Sequence, residues 1–340
     1  DKKKKNSAKY KKPCKSFAAL KAQMAEREPM CKDGPDSLTQ LKRPLTAPAV
    51  QYLYEKAAFG TPPAEAINIG LTQGIGPLVD YMMAVRTNPA LEAEARKYLD
   101  ENFATDSTDV TDEGIRQWAL HLMLKSADPF NERFAFLFLH NLLATSMEVL
   151  TQFGQSPLML THLENIRAGA RSGDYPTLLK VITRDPVMLI WLSGSLNTRQ
   201  APNENFAREL MELFTLAPTN KQGQPNYSET TVAQVARACT GWKVTNDNSL
   251  CPSDSDWCQV YSAGNHDPDA NKLIFEGTPY QGVVDDDFDV IDHILANHPN
   301  APVFLAERLL KEYLNENPSD KALSSTAKLL KANNYNFRPV

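Results

Sequence analysis

Residues 202–242 read PNENFARELMELFTLAPTNKQGQPNYSETTVAQVARACTGW, two amphipathic helical patterns joined by a Gly-containing linker. In the first, Asn203 stands where a helix cap is needed. Phe206, Ala207, Leu210, Met211, Leu213 and Phe214 then fall on one arc at about 100° per residue. Glu204, Arg208, Glu209 and Glu212 occupy the other arc. Glu204, Arg208 and Glu212 are spaced i, i+4, i+8, which predicts a guanidinium held between two carboxylates beside a pocket lined by His140 or Trp242. Ser228 caps the second pattern, whose buried stripe is Val232, Val235, Ala236 and Cys239. The period is 3.6 residues in both patterns, with no alternation of period two, so the stretch specifies helix packed on helix.

Working outward, the same period recurs. From Ala49 the segments AVQYLYEKAAF, PAEAINIGLTQ, GPLVDYMMAVR, NPALEAEARKYLDENF and TDEGIRQWALHLMLKS each read as helices, the last capped by Thr111 or Asp112. No strand alternation is visible in this half. Residues 128–153, DPFNERFAFLFLHNLLATSMEVLTQF, are apolar on nearly every side, the pattern of a surrounded helix. His140 and Asn141 lie on it and need partners if buried. Three shorter helices follow before the 203–216 helix, and three more close the chain after residue 285. The expected fold is all-α: a multi-helix globular domain, residues 49–340, around a central apolar helix. It carries one irregular, loop-rich flap at 243–284 and follows a basic, partly disordered arm at 1–48.

The 340 residues are 42% apolar, enough for a sizeable core. No run of 18 apolar residues and no signal-peptide pattern occurs, so no membrane span is expected. Net charge is −5, unevenly placed: residues 1–16 carry eight lysines against one aspartate. Such an arm suits an anionic surface or rests on its own acidic body. Five cysteines allow two disulfides. Local pairing, Cys14 with Cys31 and Cys251 with Cys258, is the simplest connectivity and implies an oxidising compartment, with Cys239 a buried free thiol.

In the flap, GNHDPDANK places Asp267, Asp269 and Asn271 at i, i+2, i+4, resembling the first oxygen ligands of a calcium loop. Lys272 stands where that loop needs glycine. GxGxxG, Walker, HExxH, GxSxG and CxxC patterns are all absent, leaving nucleotide binding, zincin and serine-hydrolase chemistry without local support.

The strings PNENFARELMELFTL, NYSETTVAQVARACTGW and the later His266-Asp267 pair resemble an uncharacterised bacterial family catalogued as domain of unknown function 1800. KAAFGTPP at 56–63, WALHLMLKSADPFNERFAFLFLHNLLATS and TRDPVMLIWL agree with its other motifs, so the resemblance runs from about Ala49 to Val340. It implies a mostly helical, exported bacterial protein, often encoded beside a second exported protein, with no established activity. Where the family has a WHNHF-like string, this chain has LHNLL and keeps His140 alone. Three functional readings follow. The first is an extracytoplasmic interaction or scaffold protein whose partner is another exported protein. The second is a hydrolase collecting His140, Arg208, Glu209 and His266, either with a divalent metal ion or by carboxylate and imidazole acid-base work. The third is a soluble ligand-binding protein using Glu204, Arg208, Glu212 and Trp242.

Overall fold

The computed structural model describes residues 44–106, 109–146, 157–247, 249–251 and 257–340. The lysine-rich residues 1–16 and the Cys14–Cys31 pairing lie outside them. Helices dominate: α1 Ala47–Ala57, α2 Ala64–Gln73, α3 Ile75–Met83, α4 Pro89–Phe103 and α5 Asp112–Lys125 fill the first part. Their ends follow local chemistry. Thr111 accepts a hydrogen bond from the Gly114 amide and so opens α5. Between α4 and α5 the chain makes an antiparallel pair, β1 Ala104–Asp106 with β2 Asp109–Val110. This corrects the expectation of no strand here, because two or three paired residues are too few to print an alternation.

The apolar stretch from residue 128 forms α6 Pro129–Arg133, a π-helical turn Phe134–Leu139, and α7 His140–Leu142. The helix therefore ends at Leu142 rather than running to 153, and residues 147–156 lie outside the described residues. Its side chains divide among separate apolar clusters. Phe134, Ala135, Phe138, Leu139 and Leu142 join the largest core. Phe136 packs instead with Trp118, Ile115 and Leu163, and Phe130 touches the cluster formed by α1 to α3.

Next come α8 Pro157–Ser172, α9 Tyr175–Thr183, α10 Pro186–Trp191, a 3-10 turn Gly194–Leu196, α11 Asn205–Glu209 running into a second π turn Leu210–Thr215, and α12 Glu229–Ala238. The segment expected to form short strands or an irregular flap contains two antiparallel pairs. β3 Trp242–Thr245 pairs with β4 Cys258–Tyr261, and β5 Lys272–Ile274 with β6 Gly282–Val284. β3 packs on α10 and the 3-10 turn, and β5 on α12. Ile274, Phe275 and Val284 are buried in the main core, which docks this segment on the helices. Helices α13 Asp287–Asn297, α14 Ala301–Tyr313 and α15 Asp320–Ala332 complete the chain. No described helix is long and apolar enough to cross a membrane.

A buried ionic network ties α4, α6 and α8 together. Arg167 donates to both oxygens of Glu132 at 2.8 and 2.6 Å, and to both oxygens of Glu92 at 2.9 and 2.7 Å. Arg171 adds contacts to the same two carboxylates. Burial raises the pKa of the Glu92 carboxyl, but hydrogen bonds and charge from Arg167 outweigh it, leaving the group below its usual range.

Candidate functional site

The core string keeps its Ser228 cap as expected, but its first helix opens at Asn205 with Glu204, not Asn203, in the capping position and without a side-chain cap bond. Asn203 Oδ1 accepts from the Asn205 amide at 2.9 Å, and the Asn203 amide donates to Asn197 Oδ1. Buried Asn197 in turn donates to the Ala236 carbonyl, linking the start of the first helix to the end of α12. The expected ladder needs correction. Arg208 pairs with Glu204 at 3.2 Å but takes its second carboxylate from Glu229, at 2.8 Å, not from Glu212. The cause is the π turn that starts at Leu210. Its wider winding rotates Glu212 off the i, i+4 line, where it accepts from the Tyr227 hydroxyl at 3.5 Å. Burial, then the Glu212 charge, raises the Glu209 carboxyl pKa above its usual range. Trp242 lies on β3, where the Arg184 guanidinium sits 4.4 Å from its ring and 3.3 Å from that of Phe288.

The loop read as a calcium site supplies its own cations. Arg237 donates to Asp267 Oδ2 and to Asp269 Oδ2, each at 2.7 Å. The remaining oxygens, Asp267 Oδ1 and Asp269 Oδ1, accept from the Asp269 and Asn271 amides at 3.0 Å. Lys272, fully buried, donates to the Asp269 and Asp285 carbonyls at 2.7 and 3.0 Å. The lysine that breaks the loop pattern thus brings the positive charge that a bound cation would have brought. His266 Nδ1 donates to the Thr240 carbonyl at 2.9 Å, which leaves Nε2 facing Asp285 at 3.9 Å. Gly241, at φ +103°, is required here: a Cβ would stand 3.0 Å from that of His266.

His140, Arg208 and His266 each have different hydrogen-bond, ion-pair or ring partners. What the fold does bring together is a second imidazole for His140. Its ring centre lies 6.3 Å from that of His162 on α8, edge to face. Leu142, in the LHNLL string, packs into the main core. His162 and Asp185 are both wholly inaccessible to solvent, with Nδ1 3.3 Å from Oδ1. That approach is short, but its angle leaves Nδ1 without a well-aligned hydrogen bond. Asp185 is held by the Asn165 side-chain amide at 2.8 Å and by the Val187 amide at 2.9 Å, the latter as the cap of α10. On the far side of the ring, His162 Nε2 is 3.3 Å from the hydroxyl of half-buried Thr145. Burial, aided by the His162 charge, pushes the His140 pKa down to about 4, and His140 Nδ1 is buried without a hydrogen-bond partner among the described residues. Among the described residues no group of three or more His, Cys, Asp or Glu side chains is arranged to hold a metal ion.

Sequence reasoning overlooked Thr145, His162, Asn165 and Asp185. The available signal was His162 and Asn165 at i, i+3 beside Leu163 and Ile166 on the apolar side of α8. Asp185, before Pro186, reads first as a helix break. Cys251 and Cys258 are bonded, with Cα atoms 5.4 Å apart, and Cys239 is a buried free thiol, both as expected.

Comparison with curated proteins and with solved structures finds no match. A family model does match, over residues 18–340, beginning ahead of Ala49 and so taking in much of the segment set apart as an arm. With nearly the whole chain matched, the protein belongs to the family described as protein of unknown function (DUF1800).

Proposed function

We propose that this protein works outside the cytoplasm as an interaction protein, presenting the β3–β4 hairpin to another exported protein. The observation that carries this reading is the Cys251–Cys258 bond, which closes the tip of that hairpin. Such bonds persist in oxidising compartments. Exposed apolar side chains gather on and beside the same element: Leu196 is 71% exposed on the 3-10 turn that contacts β3, Leu250 58% in the loop, and Tyr261 41% on β4. A rigid hairpin edged with apolar and aromatic groups supports binding, because little conformational entropy is lost when a partner docks. The lysine-rich residues 1–16 add attraction to an anionic surface, weakening as salt rises.

The test is site-specific photocrosslinking from position 250 in the native host, with thiol mapping of the same protein. Adducts to another exported protein, with Cys251 and Cys258 oxidised, are the expected result. Free thiols, or adducts confined to cytosolic proteins, overturn the proposal.

A further inference from the structure

The geometry around His162 points to a covalent acyl-transfer site: we infer that Thr145 is a nucleophile toward carboxylic esters, with His162 its general base and Asp185 the positioning residue behind that base. The three groups lie in the required order. The Thr145 hydroxyl is 3.3 Å from His162 Nε2, and the opposite ring nitrogen, Nδ1, is 3.3 Å from Asp185 Oδ1. Asp185 is itself fixed by Asn165 and by the α10 amide of Val187. A nucleophile, a base within reach of it and a third group that orients the base make up the arrangement by which a neutral hydroxyl becomes reactive. The contacts are longer than optimal hydrogen bonds, as catalytic contacts commonly are before substrate tightens them.

A purely supportive role accounts for this cluster poorly. An inaccessible imidazole against an inaccessible carboxylate, with its ring nitrogen imperfectly aligned, packs less favourably than an aliphatic pair of the same volume. Beside it His140 keeps a second buried nitrogen without a hydrogen-bond partner among the described residues. Buried polar groups left short of hydrogen bonds in this way gather where a ligand or reaction completes them. Thr145 is only half-buried, whereas His162 and Asp185 are inaccessible, so it is the member of the array nearest to solvent.

The step balances without metal or cofactor. Thr145 Oγ bonds to the ester carbonyl carbon as its proton passes to His162 Nε2. The C–O bond to the alcohol then breaks, and the alcohol leaves with that proton. Water next attacks the acyl-threonine, giving its proton to His162. Collapse releases the carboxylic acid and returns the proton to Thr145. This inference is independent of the proposed hairpin interaction.

The experiment uses p-nitrophenyl acetate as the probe, with peptide mass mapping for an acetyl group on Thr145. Thr145→Val removes the hydroxyl at nearly constant shape, and Thr145→Ser retains it. Circular dichroism and thermal unfolding establish that each variant is folded. The expected result is an acetylated Thr145 peptide and turnover above that of buffer. Loss of about 100-fold or more is expected in Thr145→Val, with activity kept within about tenfold in Thr145→Ser. Asp185→Asn should lower turnover and displace the pH profile, a readout that mere loss of packing would not move. A folded wild-type chain without turnover above buffer and without acyl-Thr145 overturns the inference. So does turnover unchanged in Thr145→Val.

Discussion

Arg208 and Arg167 both sit between carboxylates, yet they should answer to mutation very differently. The Arg208 side chain is 36% exposed and its partners Glu204 and Glu229 are 45% and 78% exposed, so water screens the contact. Arg208→Ala is expected to cost under about 1 kcal/mol. Arg167 is 5% exposed and Glu132 1%, and its removal leaves Glu132 and Glu92 facing each other with Arg171 alone between them. Arg167→Ala should cost about 3–5 kcal/mol in denaturant unfolding. The helix-face reasoning that singled out Arg208 had no access to this contrast, because Glu92, Glu132 and Arg167 are far apart in sequence. A second residue-scale prediction concerns acid. Burial lowers the pKa of His140 from 6.5 to about 4, and burial does the same to His298 despite its bond to the Asn226 carbonyl. The unfolded chain then takes up these protons first as pH falls. The stability is fully present above the unfolded value of 6.5 and is lost progressively as pH drops through the folded value near 4. Each group contributes a slope of up to about 1.4 kcal/mol per pH unit in that window. His140→Phe should remove one such contribution, read from unfolding midpoints between pH 7 and pH 4; an unchanged slope would contradict it.

Single elements show why the outline was legible and the site was not. Helix ends were readable because capping is local: Thr111 and Ser228 each accept from an amide three residues on, as their sequence contexts require. The π turns were not readable. Inserting a wider turn at Leu210–Thr215 leaves the apolar arc intact while moving Glu212 off the Arg208 line, so a fixed 100° step reads the core correctly and the polar face wrongly. The β3–β4 hairpin offers the test at this scale. Its disulfide closes a sequence separation of seven residues. Replacing both cysteines by serine should lower the stability of the hairpin by about 2–3 kcal/mol on the loop-entropy model. Amide exchange over 242–245 and 258–261 should accelerate while that of buried α9 stays slow. Equal acceleration everywhere would mean that the hairpin is not a separate stability unit.

Across the whole molecule, three apolar clusters meet along the helix that begins at Pro129, because neighbouring phenylalanines on it point into different ones. Phe337 packs edge-on against Phe134, 5.4 Å between ring centres, and Arg338 donates to Asn131 Oδ1 at 2.7 Å and to the Arg171 carbonyl at 2.6 Å. Residues near 337 are thereby coupled to the middle of the chain. Phe337→Ala should cost about 3–5 kcal/mol. Because the clusters share one helix, amide protection in α5, on the far cluster, should fall by the same free energy as in α9. Protection lost only in α9 would show that the clusters unfold separately. The sequence by itself determined the helical class, most of the helices, the caps at Thr111 and Ser228, the family, and the local disulfide, since each depends on residues within a few positions of one another. Only the tertiary structure decided the partner of Arg208, the internal cations of the Asp267 loop, and the meeting of Thr145, His140, His162 and Asp185. Those depend on which helix faces which, and that is set by the summed packing of residues distant in the chain, which no local spacing records.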